Sequence, residues 1–382
     1  MPVKEFLMIP GPTPVPDPVL EAVARHPVGH RTAGFSTVLR EAVDGLKWIG
    51  ETTNDVLVLT ASGTGAMEAA IANVVSPGDR VMSLVCGVFG ERWARIAEAY
   101  GARVERVNVS PGAAVSPEEV RRILDADREK TIKAVTITHN ETSTGVINDL
   151  EKICALVRSH GAVSIVDAVT SFGACPIPVD AWGVDLLVTG SQKALMLPPG
   201  LAFIFVSSRA WDACSRGKAP RFYFDLARYR KSLEADTTPF TPNVSLVYGL
   251  KASLDLIRQE QLPAVYARHQ QLKEALRAGL RSMGLELFVA DPIASPTITA
   301  VLPPPAVSVD AIRKSLRERF RILIADGQEA LKGQIFRIGH MGHVYERDIL
   351  MTLSALEATL TGLGYACPSG KAVTSAVGIL NS

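Results

Sequence analysis

The sequence predicts an α/β protein whose sheet is mostly parallel. From Val56 to about Val206, short apolar segments rich in β-branched residues alternate with amphipathic segments, as expected when crossover helices join parallel strands. Several apolar segments do not alternate with polar residues, so both faces of the sheet should be buried. With 382 residues, 47% of them hydrophobic, the chain is long enough to bury such a sheet.

Seven segments are predicted strands, and amphipathic segments between them are predicted helices. The strands cover residues 56–60, 80–85, 104–107, 133–138, 162–167, 185–189 and 201–206. The helices include residues 65–75, 90–100 and 117–126. The third helix has Ser116 as its expected N-cap and Pro117 as its first residue, a typical helix start.

A second, smaller domain is predicted to begin where the sequence changes character, at about Val247. We expect an N-terminal arm and large domain over residues 1–246, and a small α+β domain over residues 247–382. The predicted elements of the small domain are a long helix over 247–283, strands near 285–289 and 298–302, and a helix over 346–360. Residues from about 367 onward are small and polar, so we expect a loosely held tail.

Composition and charge argue against several classes of protein. The 40 basic and 39 acidic side chains leave a net charge of +1, so no overall field attracts nucleic acid or an anionic membrane. Apolar strings are far shorter than the roughly 20 residues that span a bilayer. Five scattered cysteines without a CxxC pair fit a reducing compartment, and His340-x-x-His343 is a weak metal signal. We therefore expect a cytoplasmic protein without membrane, nucleic-acid or metal partners.

Residues 60–68, here called the glycine-rich turn, are a candidate phosphate-binding segment. They follow a predicted strand and open a predicted helix. Free N–H groups and the helix dipole favour an anion there, and the hydroxyls of Ser62 and Thr64 add donors. An ordinary strand-to-helix turn is the alternative. A dinucleotide-binding motif fits less well, because Glu68 stands where a third small residue belongs.

Asp167 and Lys193 each follow a predicted strand of the sheet. Asp167 ends an apolar strand, where open α/β sheets bind ligands, although a helix N-cap is an alternative role. Lys193 precedes an apolar, proline-rich segment, where burial would lower the pKa of its amine and free it for Schiff-base chemistry. Most lysines are instead solvated surface charges.

Together, these three features predict a site for pyridoxal 5'-phosphate. This cofactor needs donors for its phosphate, a lysine for its aldehyde and a carboxylate that keeps its pyridine nitrogen protonated. The glycine-rich turn, Lys193 and Asp167 supply those groups from the edge of one sheet.

Further motifs along the chain, together with these three features, indicate a protein family. They cover residues 10–12, 62–68, 87–92, 139–145, 166–169, 190–193 with 198–200, and 336–339. With these motifs in order over about residues 5–362, the sequence resembles the class V aminotransferases of fold type I, especially the alanine:glyoxylate, serine:glyoxylate and serine:pyruvate group. It resembles in particular cyanobacterial members labelled soluble hydrogenase small subunit. The resemblance implies a mostly parallel seven-stranded sheet flanked by helices, a smaller C-terminal domain, and a homodimer with active sites at its interface.

The resemblance also implies roles for individual residues. Lys193 would bind the cofactor and shuttle protons, and Asp167 would partner the pyridinium nitrogen. The other implied cofactor contacts are Ser62, Gly63, Thr64 and Gln192 at the phosphate, Thr142 near the phenolic oxygen, Phe89 and Val169 on the two ring faces, and Thr241 at the partner subunit's phosphate. Phe89 replaces a tryptophan common in the family, and Thr238 stands near the position of a common tyrosine.

Arg337 and Gly11 are the implied substrate-binding positions. A guanidinium fork suits bidentate recognition of a carboxylate, and the early Pro-Gly-Pro turn should bring a backbone N–H close to the same carboxylate. Considered alone, Arg337 is an ordinary surface arginine and Pro-Gly-Pro is only a turn.

The sequence thus predicts a pyridoxal phosphate-dependent aminotransferase that moves the amino group of alanine or serine to glyoxylate or pyruvate. One alternative is the same scaffold acting on another donor, such as phosphoserine or aminoethylphosphonate. A second is a hydrogenase-associated subunit, although five dispersed cysteines do not suggest the thiolate ligation that hydrogen activation needs. A third is a non-catalytic binding protein, against which the intact Lys193, Asp167 and Arg337 argue.

Overall fold

The structure, a computed structural model, describes residues 5–381 and is built on one seven-stranded sheet. The strands of this part of the chain are β1 (Phe6–Leu7), β2 (Asp55–Leu59), β3 (Arg80–Val85), β4 (Arg103–Asn108), β5 (Ile132–Thr138), β6 (Asn140–Glu141), β7 (Val146–Ile147), β8 (Val163–Asp167), β9 (Leu186–Gly190), β10 (Ala202–Val206), β11 (Ile298–Val301), β12 (Ile322–Leu323), β13 (Ala325–Asp326) and β14 (Phe336–Gly339).

The α-helices cover both faces of this sheet and contribute to a further core. They are α1 (Asp17–Val23), α2 (Ala33–Ile49), α3 (Gly63–Val74), α4 (Val88–Ala99), α5 (Pro117–Ala126), α6 (Leu150–His160), α7 (Ser208–Arg216), α8 (Leu226–Leu233), α9 (Val244–Glu260), α10 (Leu262–Ser282), α11 (Val309–Phe320), α12 (Glu346–Gly362) and α13 (Lys371–Leu380). Short 3₁₀ helices form at Asp291–Ile293 and Glu329–Leu331. No helix within residues 5–381 is both long and apolar enough to cross a membrane.

All seven predicted strands lie in the central sheet, each within one residue of its expected ends. Their order is β2-β10-β9-β8-β5-β3-β4, and neighbours are parallel except where β10 meets β2 and β9. β10 runs antiparallel because residues 191–201, which link it to β9, contain no helix to carry the chain back across the sheet. This link, here called the lysine loop, carries Lys193.

Apolar side chains cover both faces of the central sheet, which agrees with the continuous apolar strands. β8, β9 and β10 are buried along their whole length. One core cluster includes Leu46 of α2 and Leu250 of α9, and a second includes Ile71 of α3 and Ala210 of α7. The two clusters bury both faces of the sheet, so the carboxyl ends of its strands rest on a rigid support.

A third core cluster is formed by other elements, including α10, α11, α12 and β14. The N-terminal arm reaches this cluster: β1 pairs in parallel with β12, and Met8 is fully buried there. The N–H of Gly339 donates to the Met8 carbonyl at 2.9 Å. In contrast, α9 contributes Leu250 and Leu254 to a core of the central sheet. The domain division at residues 246–247 stays a prediction.

The helix expected over residues 247–283 is two helices, α9 and α10, separated at Gln261. Gln261 has φ = +71°, which no helical residue adopts. Pro263 lies in the first turn of α10, where its missing N–H is not needed. In the middle of a longer helix the same proline would remove a hydrogen bond and clash with the preceding turn.

Two further segments differ from expectation. Residues 285–289 do not form a strand: within them only Leu287 pairs, with Val301, before the chain turns into the 3₁₀ helix Asp291–Ile293. The expected loose tail instead contains α13, which packs on α10 and α12. Ala372 and Ala376 are fully buried in the third cluster. Small side chains allow this close approach, so residues that look weakly apolar in the sequence still hold the helix in place.

We expect Ala376→Glu to lower the free energy of unfolding by about 3 kcal/mol, because it forces a carboxylate into an apolar contact. The midpoint of urea or thermal unfolding measures this loss. Thr374→Glu is the matched control, since Thr374 is exposed on the same helix. Equal stabilities for the two variants would contradict the packing of α13.

Candidate active site

The lysine loop places Lys193 beneath the N-terminal arm. Its Nζ donates a hydrogen bond to the carbonyl of Pro10. Thr13 fixes the arm on the loop, because its Oγ1 donates to the Lys193 carbonyl at 2.9 Å and its N–H donates to the Gln192 carbonyl at 3.1 Å. Burial lowers the pKa of the Lys193 amine to about 8; the Arg337 and Arg92 charges also lower it, while Asp167 opposes them.

Gly11 is required where the arm crosses Lys193. Its φ is +128°, a conformation that residues with a side chain rarely adopt. A Cβ at this position would lie 2.6 Å from Lys193 Nζ and 2.8 Å from its Cδ. Gly11 therefore permits the close contact between the arm and the amine, and its expected contact with a substrate carboxylate stays a prediction.

Asp167 ends β8 as a buried carboxylate. No helix begins after it, since residues 168–175 form turns, so the alternative role as a helix cap is wrong. The Val169 N–H donates to its Oδ1 at 2.8 Å. Within residues 5–381 Oδ2 accepts no hydrogen bond, which leaves one carboxylate oxygen for a ligand. Burial raises the pKa of Asp167 to about 6, and the nearby Glu141 also raises it.

The glycine-rich turn forms the start of α3. Ser62 is the N-cap, and its Oγ accepts a hydrogen bond from the Gly65 N–H at 3.3 Å. Ser62 and Thr64 are exposed, while Gly63 packs directly against Val169: a Cβ at position 63 would lie 2.9 Å from Val169 Cγ2. Two hydroxyls and the first helix amides thus converge at one end of α3, beside Val169.

Gln192 and Thr142 add polar groups near this end of the sheet. The buried Oε1 of Gln192 has no hydrogen-bond partner within residues 5–381. The Thr142 hydroxyl lies 2.9 Å from the hydroxyl of Thr170. The unpartnered atom is an acceptor, so Gln192 can bind an anion only through its NH2 group.

Arg337 projects from β14 and is only 6% exposed, so the alternative of a surface arginine is wrong. Its Nε and Nη2 donate to the Asp326 carbonyl at 2.8 and 2.6 Å, and its Nη1 donates to the Thr142 carbonyl at 2.9 Å. Burial lowers the pKa of the guanidinium to about 10, which still leaves it charged at neutral pH. Backbone carbonyls therefore orient a fixed positive charge.

One cavity of about 770 Å³ brings several predicted residues together. Its lining includes Gly11, Phe89, Thr142, Lys193 and Arg337. The glycine-rich turn, Asp167, Val169, Gln192 and Thr241 are not part of this lining. Thr241 is exposed, whereas Thr238 is buried and its hydroxyl donates to the Phe240 carbonyl at 2.7 Å. At position 238, where the family commonly has tyrosine, the threonine hydroxyl thus bonds to a carbonyl of its own loop.

Glu141 is a site residue that the sequence analysis missed. Its buried carboxylate accepts the N–H groups of Phe89 and Gly90, each at 3.1 Å, and the Ser143 hydroxyl at 2.5 Å. Burial raises the pKa of this carboxyl. Glu141 thereby caps the start of α4 and fixes the backbone of Phe89. The one signal in the sequence that could have found it is its position inside the motif of residues 139–145.

Comparison with known proteins agrees with this geometry. The family model described as aminotransferase class-V matches residues 6–347. The "Soluble hydrogenase, small subunit" of Synechococcus sp. (strain PCC 6716) is 51% identical over 363 residues, 95% of this chain and 94% of that protein. The serine–glyoxylate aminotransferase of Arabidopsis thaliana is 35% identical over 380 residues, 98% of this chain and 95% of that protein. These matches confirm the resemblance deduced from the motifs.

A solved structure gives the same result. The crystal structure of an alanine–glyoxylate aminotransferase from Nostoc sp. matches with a TM-score of 0.90 and 35% identity, over 94% of this chain and 97% of that one. The family's cofactor is pyridoxal 5'-phosphate, and the residues present fit it: a desolvated amine, a buried carboxylate with an open oxygen, and donors at a helix start. The chain therefore belongs to the class V aminotransferase family and is a pyridoxal phosphate-dependent transaminase of fold type I.

Proposed function

We propose that the protein transfers the amino group of a small L-amino acid, alanine or serine, to glyoxylate or pyruvate. The observation that carries this proposal is one cavity lined by both the low-pKa amine of Lys193 and the oriented guanidinium of Arg337. When an amino acid binds Arg337 through its carboxylate, its α-amino group and α-proton face the part of the cavity that Lys193 lines. Serine, alanine and glyoxylate occur in the names of similar aminotransferases, and pyruvate occurs in that of a similar pyridoxamine–pyruvate transaminase.

Lys193 performs the proton transfers in this proposal. With a pKa near 8, its amine is partly unprotonated at neutral pH, so it both accepts and returns a proton in each cycle. The bound cofactor supplies an aldehyde for the amino group and a ring that withdraws electrons from the substrate. Asp167 is ionised at neutral pH, and its open oxygen accepts a hydrogen bond from the ring nitrogen.

The remaining site residues hold the cofactor and the substrate. Ser62, Gly63, Thr64 and Gln192 bind the phosphate, Thr142 the phenolic oxygen, and Phe89 and Val169 the two faces of the ring. The contact between Gly63 and Val169 supports this arrangement, since it sets the glycine-rich turn beside one ring face. Gly11 adds a backbone N–H beside Arg337 at the substrate carboxylate.

We further propose a homodimer, located in the cytoplasm, whose partner subunit receives Thr241 at its phosphate site. Phe222 and Tyr223 are 64% and 39% exposed. Tyr223 stacks on Phe240 with ring centres 5.0 Å apart and donates its hydroxyl to the Thr60 carbonyl of the glycine-rich turn at 3.1 Å. Exposed aromatic side chains beside the site are typical of a surface that a second copy covers. The five free cysteines support the cytoplasmic location.

An amino donor that carries a second anionic group, such as phosphoserine, is a second candidate substrate. The cavity extends to Arg313, Lys314 and Arg317 of α11. Arg313 pairs with Asp310 at 3.2 Å, and Arg317 pairs with Glu5 at 2.7 Å. Within residues 5–381 Lys314 has no carboxylate at ion-pair distance, so it is the cation that would meet an anionic side chain.

We expect Lys193→Ala to lower turnover of L-alanine with glyoxylate by at least about a thousandfold, because within residues 5–381 Lys193 is the one buried amine in the cavity that Arg337 also lines. Pyruvate formation measures the loss. Lys133→Ala, at an exposed position at the opposite end of the sheet, should leave turnover unchanged. Substantial turnover by Lys193→Ala would exclude the mechanism.

The pH dependence of Lys193 gives a second test. In cofactor-depleted protein, labelling of Lys193 by pyridoxal followed by borohydride reduction should rise with a midpoint near pH 8, far below the ordinary lysine value of 10.5. Asp167→Asn removes a negative charge that favours the ammonium form, so it should lower the midpoint. Arg337→Gln removes a positive charge and should raise it. Mass spectrometry of the labelled peptide measures all three, and shifts in the reverse directions would refute these charge assignments.

The choice of donor depends on Lys314 if the second candidate is correct. We then expect Lys314→Glu to raise the KM for phosphoserine by about fivefold, through loss of attraction and added repulsion, and to leave the KM for alanine unchanged. Steady-state kinetics with both donors measure the effect. No turnover of phosphoserine by the unaltered protein would eliminate this candidate and leave alanine and serine.

A further inference from the structure

Arg92 is a charged residue at the site to which the family resemblance gave no role. It lies one turn after Phe89 in α4, and its guanidinium carbon is 4.5 Å from the centre of the Phe89 ring. Its Nη1 donates a hydrogen bond to Thr64 Oγ1 at 3.0 Å. Arg92 thus bridges α4 and α3, between the proposed stacking ring and the glycine-rich turn.

The charge of Arg92 is not neutralised by a neighbouring carboxylate. Arg95 and Arg106 both pair with Glu91, at 3.1 and 3.0 Å, but Arg92 has no acidic side chain at ion-pair distance within residues 5–381. Its field lowers the pKa of both Lys193 and Asp167, so it reaches the centre of the site. An unpaired guanidinium beside a helix start favours a bound anion.

The direction of the hydrogen bonds determines what the two hydroxyls of the turn do. A guanidinium only donates, so Thr64 Oγ1 must accept from Arg92 and keeps its own proton available. Ser62 Oγ accepts from the Gly65 N–H in the same way. Both hydroxyls can therefore donate their protons to a ligand. An ionised phosphate needs such donors, because its oxygens only accept hydrogen bonds.

We propose that Arg92 is a positioning residue for the cofactor phosphate. By donating to Thr64 it directs that hydroxyl's proton toward the phosphate, and its charge adds to the field of the α3 helix start. The Phe89 ring holds the guanidinium in this place. This inference rests on the proposed function, because it takes the glycine-rich turn as the phosphate site.

The test compares two ligands, pyridoxal 5'-phosphate and pyridoxal, which lacks the phosphate. In full-length protein depleted of cofactor, we expect Arg92→Gln to raise the dissociation constant of pyridoxal 5'-phosphate about tenfold, as for loss of a hydrogen bond supporting a charged group. The dissociation constant of pyridoxal should stay within about twofold. Equilibrium dialysis with absorbance detection measures both, without depending on turnover.

Three further variants separate positioning from a general structural effect. Arg92→Lys keeps the charge and should recover part of the lost affinity. Thr64→Val should weaken phosphate-dependent binding by itself, and Arg92→Gln should then add little to it, because the effect passes through Thr64. Arg95→Gln, a mostly exposed position on the same helix, should leave both dissociation constants unchanged.

The outcomes distinguish this inference from the function on which it rests. Equal losses for both ligands in Arg92→Gln would overturn the inference, because they would locate the effect at the Phe89 ring. Unchanged affinity for pyridoxal 5'-phosphate would overturn it as well. If the unaltered protein bound neither ligand, the proposed function would fail together with the inference.

Discussion

The burial of one lysine amine is the constraint on which the rest of the structure depends. Removing water from Lys193 costs free energy as long as the amine is charged, so the surrounding fold must keep it desolvated and supply a partner. The lysine loop provides the position, the arm provides the cover, and the Pro10 carbonyl accepts a hydrogen bond from the amine. Gly11 makes this cover possible, since any side chain there would occupy the space of the amine.

Around the amine, fixed charges of both signs balance each other. Asp167 favours the charged form of Lys193, and Arg337 and Arg92 favour the neutral form. Two of these charges are held by backbone groups: Arg337 donates to the carbonyls of Asp326 and Thr142, and Asp167 accepts the N–H of Val169. Because backbone partners fix their positions, the effect of these two charges on the amine does not depend on mobile side chains.

The sequence was most informative where a local pattern of apolar residues directly reflects burial in the folded protein. A strand buried on both faces is a continuous apolar segment, so all seven strands of the central sheet were found, and Asp167 and Lys193 follow from their ends. The packing of α13 was not predictable, because buried alanines depend on the shape of α10 and α12. The role of Glu141 was missed for a similar reason: its partners on α4 are about 50 residues away in sequence.

The N-terminal arm is one of the links between the third core and the central sheet, in addition to contacts such as that of Arg337 with the Thr142 carbonyl. Met8 belongs to the core of α10, α11 and α12, whereas Thr13 is bonded to the lysine loop of the central sheet. Only four residues separate these anchors, and two of them, Pro10 and Gly11, contact the amine. A displacement of the third core relative to the sheet must therefore pull on this short tether. Arg337 lies on β14, and the N–H of Gly339 on the same strand donates to the Met8 carbonyl, so the arm connects the strand that carries Arg337 to the cover over Lys193.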